Sequence, residues 1–184
     1  MTNGVKHMKW WGWGVEGIGF HHEDKPNFAP FVLDKVGLDL SHAPEKPPSF
    51  DEIEVPASRL SDELKTTLVD LLGEKFVVTE DMDRIVHTFG KSVRDLIRMR
   101  RNELKRIPDA VLYPADEDQV RAIVDAIVAA DAVLIPFGGG SNIVGSLEPR
   151  AWEERIVVSV DLGRMNRVIE IDDEAGLARI QAGA

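Results

Sequence analysis

The sequence predicts an α+β fold, and three observations predict it. Apolar residues recur at helical spacing in several segments after residue 60. Short β-branched runs bounded by Pro, Gly and Asp alternate with helical signal after Pro108. Hydrophobic residues make up 43% and charged residues 29% of the 184, the balance of a packed chain rather than a disordered one. The expected architecture is a small mixed sheet with helices, its pairing both parallel and antiparallel, with one helix over 116–130 lying on a face. An irregular, partly helical N-terminal extension precedes it, and the boundary near residue 106 gives segments 1–105 and 106–184.

Residues 1–59 read as irregular. Trp10, Trp11 and Trp13 crowd one stretch with Gly12, Gly14, Gly17 and Gly19, and Pro26, Pro30, Pro44, Pro47, Pro48 and Pro56 punctuate the chain after them. Proline fixes φ and removes a donor, so long helices are not expected. Phe28, Phe31, Val32 and Leu33 are expected to anchor the segment on a core elsewhere. From Ser61, Leu64, Leu68, Leu71 and Leu72 predict a helix stopped by Gly73. Residues 76–78 form a short extended piece. Acidic Glu80, Asp81 and Asp83 then open a helix with Ile85, Val86 and Phe89 inward, ending at Gly90.

Ser92 and Asp95 have capping-box spacing and start a helix running to about Leu104. Its expected inward face is Val93, Leu96, Ile97 and Leu104, with Arg94, Arg98, Arg101 and Lys105 on another. After Pro108, residues 110–113 form an apolar run closed by Pro114. Asp116 and Gln119 cap a helix whose stripe is Val120, Ile123, Val124, Ile127 and Val128. Residues 132–135 read as a buried strand ended by Pro136, and 156–160, 168–171 and 177–181 as further strands.

Composition excludes several functions. Lys plus Arg is 22 against 32 acids, a formal net charge of −10, which argues against nucleic-acid partners. Cysteine is absent, so a disulfide scaffold, a thiol nucleophile and a thiolate zinc site are excluded, and a reducing, cytoplasmic location is expected. Residues 122–137 are the longest apolar stretch, but Asp125 and Asp131 interrupt it. Residues 1–14 lack the apolar core of an export signal.

The most informative motif is Pro136-Phe137-Gly138-Gly139-Gly140-Ser141-Asn142. Consecutive glycines after a strand are costly in backbone entropy and make sense where the main chain approaches a ligand or turns with positive φ. Their N–H groups can form an anion nest suited to a phosphate or diphosphate. An ordinary glycine hairpin is the alternative. Gly12-Trp13-Gly14-Val15-Glu16-Gly17 matches a dinucleotide fingerprint by letters only, since no strand precedes it and no amphipathic helix comes after. The tryptophans are instead expected to pack on a partner surface.

The basic stripe is either a solvated helix face or a docking surface for acidic protein, phosphate or anionic lipid. His21 and His22 lack a third ligand, so no metal is expected. His7, His42 and His87 stand alone and read as core or surface histidines, and Tyr113 as packing. No catalytic residue is named.

Taken together, Pro108-Asp109-Ala110-Val111, Tyr113-Pro114, Asp118-Gln119-Val120, the glycine segment, and Ser159-Val160-Asp161-Leu162 with Arg164-Met165-Asn166 resemble the start of a known flavin domain. It is that of the vanillyl-alcohol-oxidase (PCMH-type) FAD-binding oxidases. Met8-Lys9-Trp10-Trp11-Gly12-Trp13-Gly14 is similar to the leader of the alkyldihydroxyacetonephosphate synthase branch. The resemblance covers nearly the whole chain. It implies FAD as cofactor, with Pro136, Phe137, Gly138, Gly139, Gly140, Ser141 and Asn142 holding its diphosphate through backbone N–H groups. The flavin carries the chemistry and the protein positions it. The activity implied is either transferase, exchanging the acyl group of acyl-dihydroxyacetone phosphate for a long-chain alcohol, or oxidoreductase, taking hydride from an alcohol or hydroxy acid. A small-molecule or lipid-type substrate, peripheral membrane contact and a homodimer of the full-length protein are implied as well, with no nucleic acid.

The glycine segment contains no histidine, which excludes covalent FAD attachment there. Family members continue beyond the strand preceding Ala182-Gly183-Ala184 with more of the flavin domain and a substrate domain. Residues 1–184 are therefore expected not to turn over, to hold FAD weakly or not at all, and to leave apolar faces that favour assembly. The other reading is a non-catalytic interaction module that docks a partner through the basic helix 92–105.

Overall fold

The computed structural model describes residues 5, 8–19, 21, 22, 24–42 and 49–184. Expectations touching His7, Pro44, Pro47 and Pro48 lie outside the described residues. The chain contains helices α1 (Phe28–Val36), α2 (Asp62–Leu72), α3 (Asp81–Val86), α4 (Val93–Arg100) and α5 (Glu117–Ala129). Its strands are β1 (Val77–Val78), β2 (Ala110–Leu112), β3 (Val133–Phe137), β4 (Val157–Asp161), β5 (Val168–Asp172) and β6 (Leu177–Ile180).

Two strongly periodic helices cover one face of the main sheet. The Ser61 hydroxyl accepts the Leu64 N–H at 3.3 Å and starts α2. Leu64, Leu68 and Leu72 form its buried stripe, and Gly73 ends it with φ +86°. Asp116 accepts the Gln119 N–H at 2.9 Å, and Gln119 reaches back to the Ala115 N–H at 2.7 Å. This fixes the start of α5, which buries Ile123 and Ile127. These leucines and isoleucines pack with Val77, Ala110, Leu112, Val158 and Val160 in one core cluster. Each buried valine, leucine or isoleucine of this cluster contributes about 1.5–3 kcal/mol. The core therefore joins α2 and β1, from before residue 106, to strands from after it.

The main sheet has the order β1-β2-β4-β3. β1 is antiparallel to β2, while β4 lies between β2 and β3 and is parallel to both. Every residue of β4 is buried, Ser159 and Asp161 included, as suits a central strand covered on both faces. β5 and β6 form a separate antiparallel ribbon.

Several local expectations are corrected. Residues 28–36 form a nine-residue helix, because Pro30 falls in the first turn, where its missing N–H costs nothing. Gly37 closes it with φ +72° and donates to the Leu33 carbonyl at 3.0 Å. Phe31 and Leu33 are exposed and anchor nothing. α3 ends at Val86, well before Gly90, and Glu80 is its N-cap. α4 has the expected Ser92–Asp95 capping box but ends at Arg100, and Asn102 turns the chain with φ +57°. Its inward residues are Asp95, Leu96 and Met99, while Val93 (61%) and Ile97 (44%) are exposed. Apolar residues sat on two sides of this helix, and the Leu96–Met99 side won the packing. β3 runs through Pro136 to Phe137, because β3 is the edge of the sheet and a proline there forfeits no ladder bond.

Trp10 and Trp11 pack on this chain, whereas Trp13 is 59% exposed. Met8 bridges to Val15, and Trp10 lies edge-on to Phe50 with centroids 5.6 Å apart. Trp10 belongs to a second core cluster with Ile53, Ile85, Val86, Phe89, Met99 and Ile107. The Trp13 indole donates to the Lys91 carbonyl at 2.9 Å, and the Lys91 ammonium donates to the Lys9 carbonyl at 2.7 Å. Among the described residues, no helix is long and apolar enough to cross a membrane.

Candidate functional site

The parallel pairing of β3 and β4 sets Phe137 beside Asp161, so both strands end side by side. Open parallel sheets bind ligands beyond such carboxyl ends. A cavity of about 360 Å³ lies there, lined by Gly138, Gly139, Asp161, Gly163, His87 and Gly183 among others. Because β3 and β4 are parallel, the glycine segment cannot be a hairpin turn, which removes that alternative.

The glycines divide into two roles. A Cβ on Gly139 would meet nothing within 4 Å, and one on Gly138 only the Ala182 carbonyl oxygen at 3.8 Å. The fold itself does not demand glycine at these two positions, yet their bare backbone faces the cavity. Gly140 is different. Its φ is +66°, and a Cβ there would stand 2.6 Å from the Phe137 ring. Among the described residues, the N–H groups of Gly138, Gly139, Gly140 and Ser141 have no hydrogen-bond partner. A main-chain donor without a partner beside a cavity is a natural anion ligand.

Of the seven residues singled out from the sequence, Phe137, Gly138 and Gly139 line the cavity. Pro136 is exposed on the sheet edge, and Ser141 is exposed outside the lining. Asn142 shapes the loop exit. Its side-chain oxygen accepts the N–H groups of Val144 and Ser146, each at 3.1 Å, and its carbonyl accepts the Lys91 N–H at 2.7 Å.

Sequence reasoning missed His87 and Asp161. The side chains are 2% and 5% exposed and join through His87 Nε2 and Asp161 Oδ2 at 2.8 Å. His87 Nδ1 lies 2.7 Å from the Asp83 carbonyl oxygen. Asp161 Oδ1 accepts the Gly163 N–H at 2.6 Å. The His87 ring leans on Phe137 at 4.2 Å and meets the edge of Tyr113 at 5.9 Å. Tyr113 donates its hydroxyl to Asp83 at 2.6 Å, in keeping with a packing role. Both imidazole nitrogens face oxygen atoms, so His87 ties the Asp83 main chain to the Asp161 side chain. No local signal marks the pair, because 74 residues separate its members.

The basic stripe is not a single solvated face. Arg98 grips Glu148 with both terminal guanidinium nitrogens and stacks over Phe89 at 4.4 Å. The Arg98 hydrogen bonds hold the Glu148 carboxyl below its ordinary value against the opposing effect of burial. Arg94, Arg101 and Lys105 remain exposed.

Comparison with known proteins agrees with this geometry. A protein family described as FAD binding domain matches residues 108–184. Alkyldihydroxyacetonephosphate synthase of Dictyostelium discoideum is 39% identical over 165 residues, which cover 88% of this chain and 24% of that protein. A solved alkyldihydroxyacetonephosphate synthase structure superposes with a TM-score of 0.81 at 32% identity, covering 96% of this chain and 36% of that one. The p-cresol methylhydroxylase structure shares the fold at a TM-score of 0.54 and 21% identity, over 71% of this chain and 24% of its own. The chain thus spans between a quarter and about a third of the length of these proteins.

Proposed function

The chain belongs to the FAD binding domain family through residues 108–184, and from that premise we propose that the main-chain amides at Gly138 and Gly139 hold the diphosphate of FAD. The observation that carries this reading is the run of unpartnered N–H groups at residues 138–141, with open space where side chains would stand at Gly138 and Gly139. The cradle fits the group, since a diphosphate needs donors and close backbone approach. FAD, when bound, supplies the reactive group of the chemistry. This chain's residues bind and orient it. Ser141 stands at the loop's open side, Gly140 and Phe137 lock its bend, and Asn142 fixes its exit.

The whole protein's activity is proposed as the alkyl-transfer type, acting on a lipid-type substrate. The 39% identity to a synthase supports that over the oxidase type, where the identity is lower, 23% to a glycolate oxidase subunit and 21% to the methylhydroxylase. A homodimer and a reducing, cytoplasmic setting complete the proposal, the latter supported by the absence of cysteine. The exposed Arg94, Arg101 and Lys105 support peripheral contact with an anionic membrane.

The test is an equilibrium titration of wild type, Gly138→Ala and Gly139→Ala with FAD, using riboflavin as the control without a diphosphate. We expect wild type to bind FAD in preference to riboflavin. Both variants should unfold at the wild-type temperature and bind FAD at least tenfold more weakly. Wild type that ignores FAD, or variants that bind it as well as wild type, would overturn the assignment.

A further inference from the structure

We infer that His87 is a positioning residue that neutralises Asp161 so that the cavity accepts a diphosphate, an inference that rests on the FAD reading above. Asp161 is the awkward group in that site. It ends β4, directly beside Phe137 and one residue's width from Gly138, and it lines the same cavity as the unpartnered glycine amides. Adjacent strands lie about 4.8 Å apart, so an unbalanced carboxylate here would stand close to any bound diphosphate and repel it.

The structure shows how that repulsion is removed. One Asp161 oxygen is occupied by the Gly163 N–H at 2.6 Å, and the other by His87 at 2.8 Å. His87 is fixed in turn by the Asp83 carbonyl at 2.7 Å and by the Phe137 and Tyr113 rings. The Asp83 carboxylate, the other acid near this ring, takes the Tyr113 hydroxyl. Through the 2.8 Å contact His87 balances the Asp161 side chain and leaves the amides of Gly138 and Gly139 as the local electrostatic signal. A carboxylate held by backbone N–H groups alone would keep its full charge.

His87 comes directly after α3 and lies outside residues 108–184, the part that matches the FAD binding domain family. The cavity is therefore composite. The segment before residue 108 supplies not only Val86 and Met8 as walls but also the group that balances its charge. Asp161 keeps its own purpose in this scheme, since it orders the turn at Gly163, where a Cβ would stand 2.9 Å from the Asp161 oxygen.

The test separates charge from shape. His87→Gln keeps a neutral donor toward Asp161 but leaves the carboxylate unbalanced. Asp161→Asn added to it removes the charge while keeping an acceptor for Gly163. FAD titrations on the full chain should show His87→Gln binding at least tenfold more weakly than wild type, and the double variant within threefold of wild type. Far-ultraviolet circular dichroism and thermal melts confirm folding. A purely structural role for His87 predicts no rescue, so a double variant as weak as His87→Gln overturns the inference, as does His87→Gln at wild-type affinity. If His87→Gln does not fold, the double variant decides alone, and a tenfold loss there counts against the inference. Wild type that takes up no FAD overturns the cofactor reading itself, whereas wild-type uptake unchanged by His87→Gln overturns only the role of His87.

Discussion

Gly90 lies flat against the Asn142 carbonyl: a Cβ built on Gly90 would stand 1.8 Å from that oxygen. The next residue, Lys91, donates its N–H to the same oxygen at 2.7 Å. Segment 87–92 and the exit of the glycine loop are therefore docked backbone to backbone, with no room for a side chain between them. His87 and Lys91 both depend on this docking for their positions.

Gly90→Ala is accordingly expected to destabilise the chain by about 3 kcal/mol, the upper range for forced overpacking, through displacement of the loop exit. Gly139→Ala, in open space, serves as the control and should cost little. Thermal or urea unfolding of the two variants checks this, and equal midpoints would refute it.

Arg106 and Asp109 form a buried pair of a different kind. The guanidinium contacts both carboxylate oxygens, at 3.0 and 2.6 Å, and Asp109 also accepts the N–H groups of Arg59 and Val157 at 2.9 and 2.8 Å. Burial pushes the Asp109 pKa up, but Arg106 and the two N–H groups outweigh it and hold the carboxyl below its ordinary value. A carboxyl depressed in the folded state contributes stability above its unfolded pKa and loses it as pH falls through the folded one. Arg106→Met leaves a buried carboxylate without its cation and should cost about 3–5 kcal/mol at neutral pH. Asp109→Asn should flatten the acid limb of the stability profile, and an unchanged limb would refute the assignment.

Lys91 titrates in the opposite sense. Burial lowers its pKa from 10.5 to about 8, with Asp95 opposing the shift. The unfolded chain then holds more protons between those values, so this group's penalty is fully present below about pH 8 and is relieved as pH rises toward 10.5. The relief amounts to roughly 3 kcal/mol at most. Urea midpoints of wild type relative to Lys91→Met should therefore rise from pH 7 to 10. A wild type that instead weakens relative to the variant over that range would contradict it.

The β5–β6 ribbon exposes Val168, Ile169, Ile171, Leu177 and Ile180. An isolated two-stranded ribbon is marginal in water, and such an apolar surface favours association. Ile171 pairs with Ala178, which places Ile180 on the same face two residues on. We expect concentration-dependent association of the wild-type chain in sedimentation experiments, and a shift toward monomer for Ile171→Lys with Ile180→Lys. Identical sedimentation of the two chains would remove the ribbon as the cause.

The features legible in the sequence act over a few residues along the chain. The leucine stripe of α2, the Asp116–Gln119 cap of α5 and the Ser92–Asp95 capping box are interactions over three or four positions, and they occur as periodicity and residue type require. The exceptional backbone at residues 138–140 is equally local, whereas the strand expected to be buried over 132–135 is the edge strand β3, in which only Ile135 and Phe137 are buried. Where two faces of a helix were both apolar, as at Val93, Leu96 and Ile97, local pattern had no means of choosing between them.

Neighbouring residues were enough to settle α2, α5, the start of α4 and a glycine loop after a strand, because propensity, capping and periodicity act at short range. It took the assembled sheet to put β4 between β2 and β3, to place Pro136 on an edge, and to bring His87 to Asp161 across 74 residues. Strand order brings distant residues together, and it arises from the packing of the whole core, which no short stretch of chain encodes.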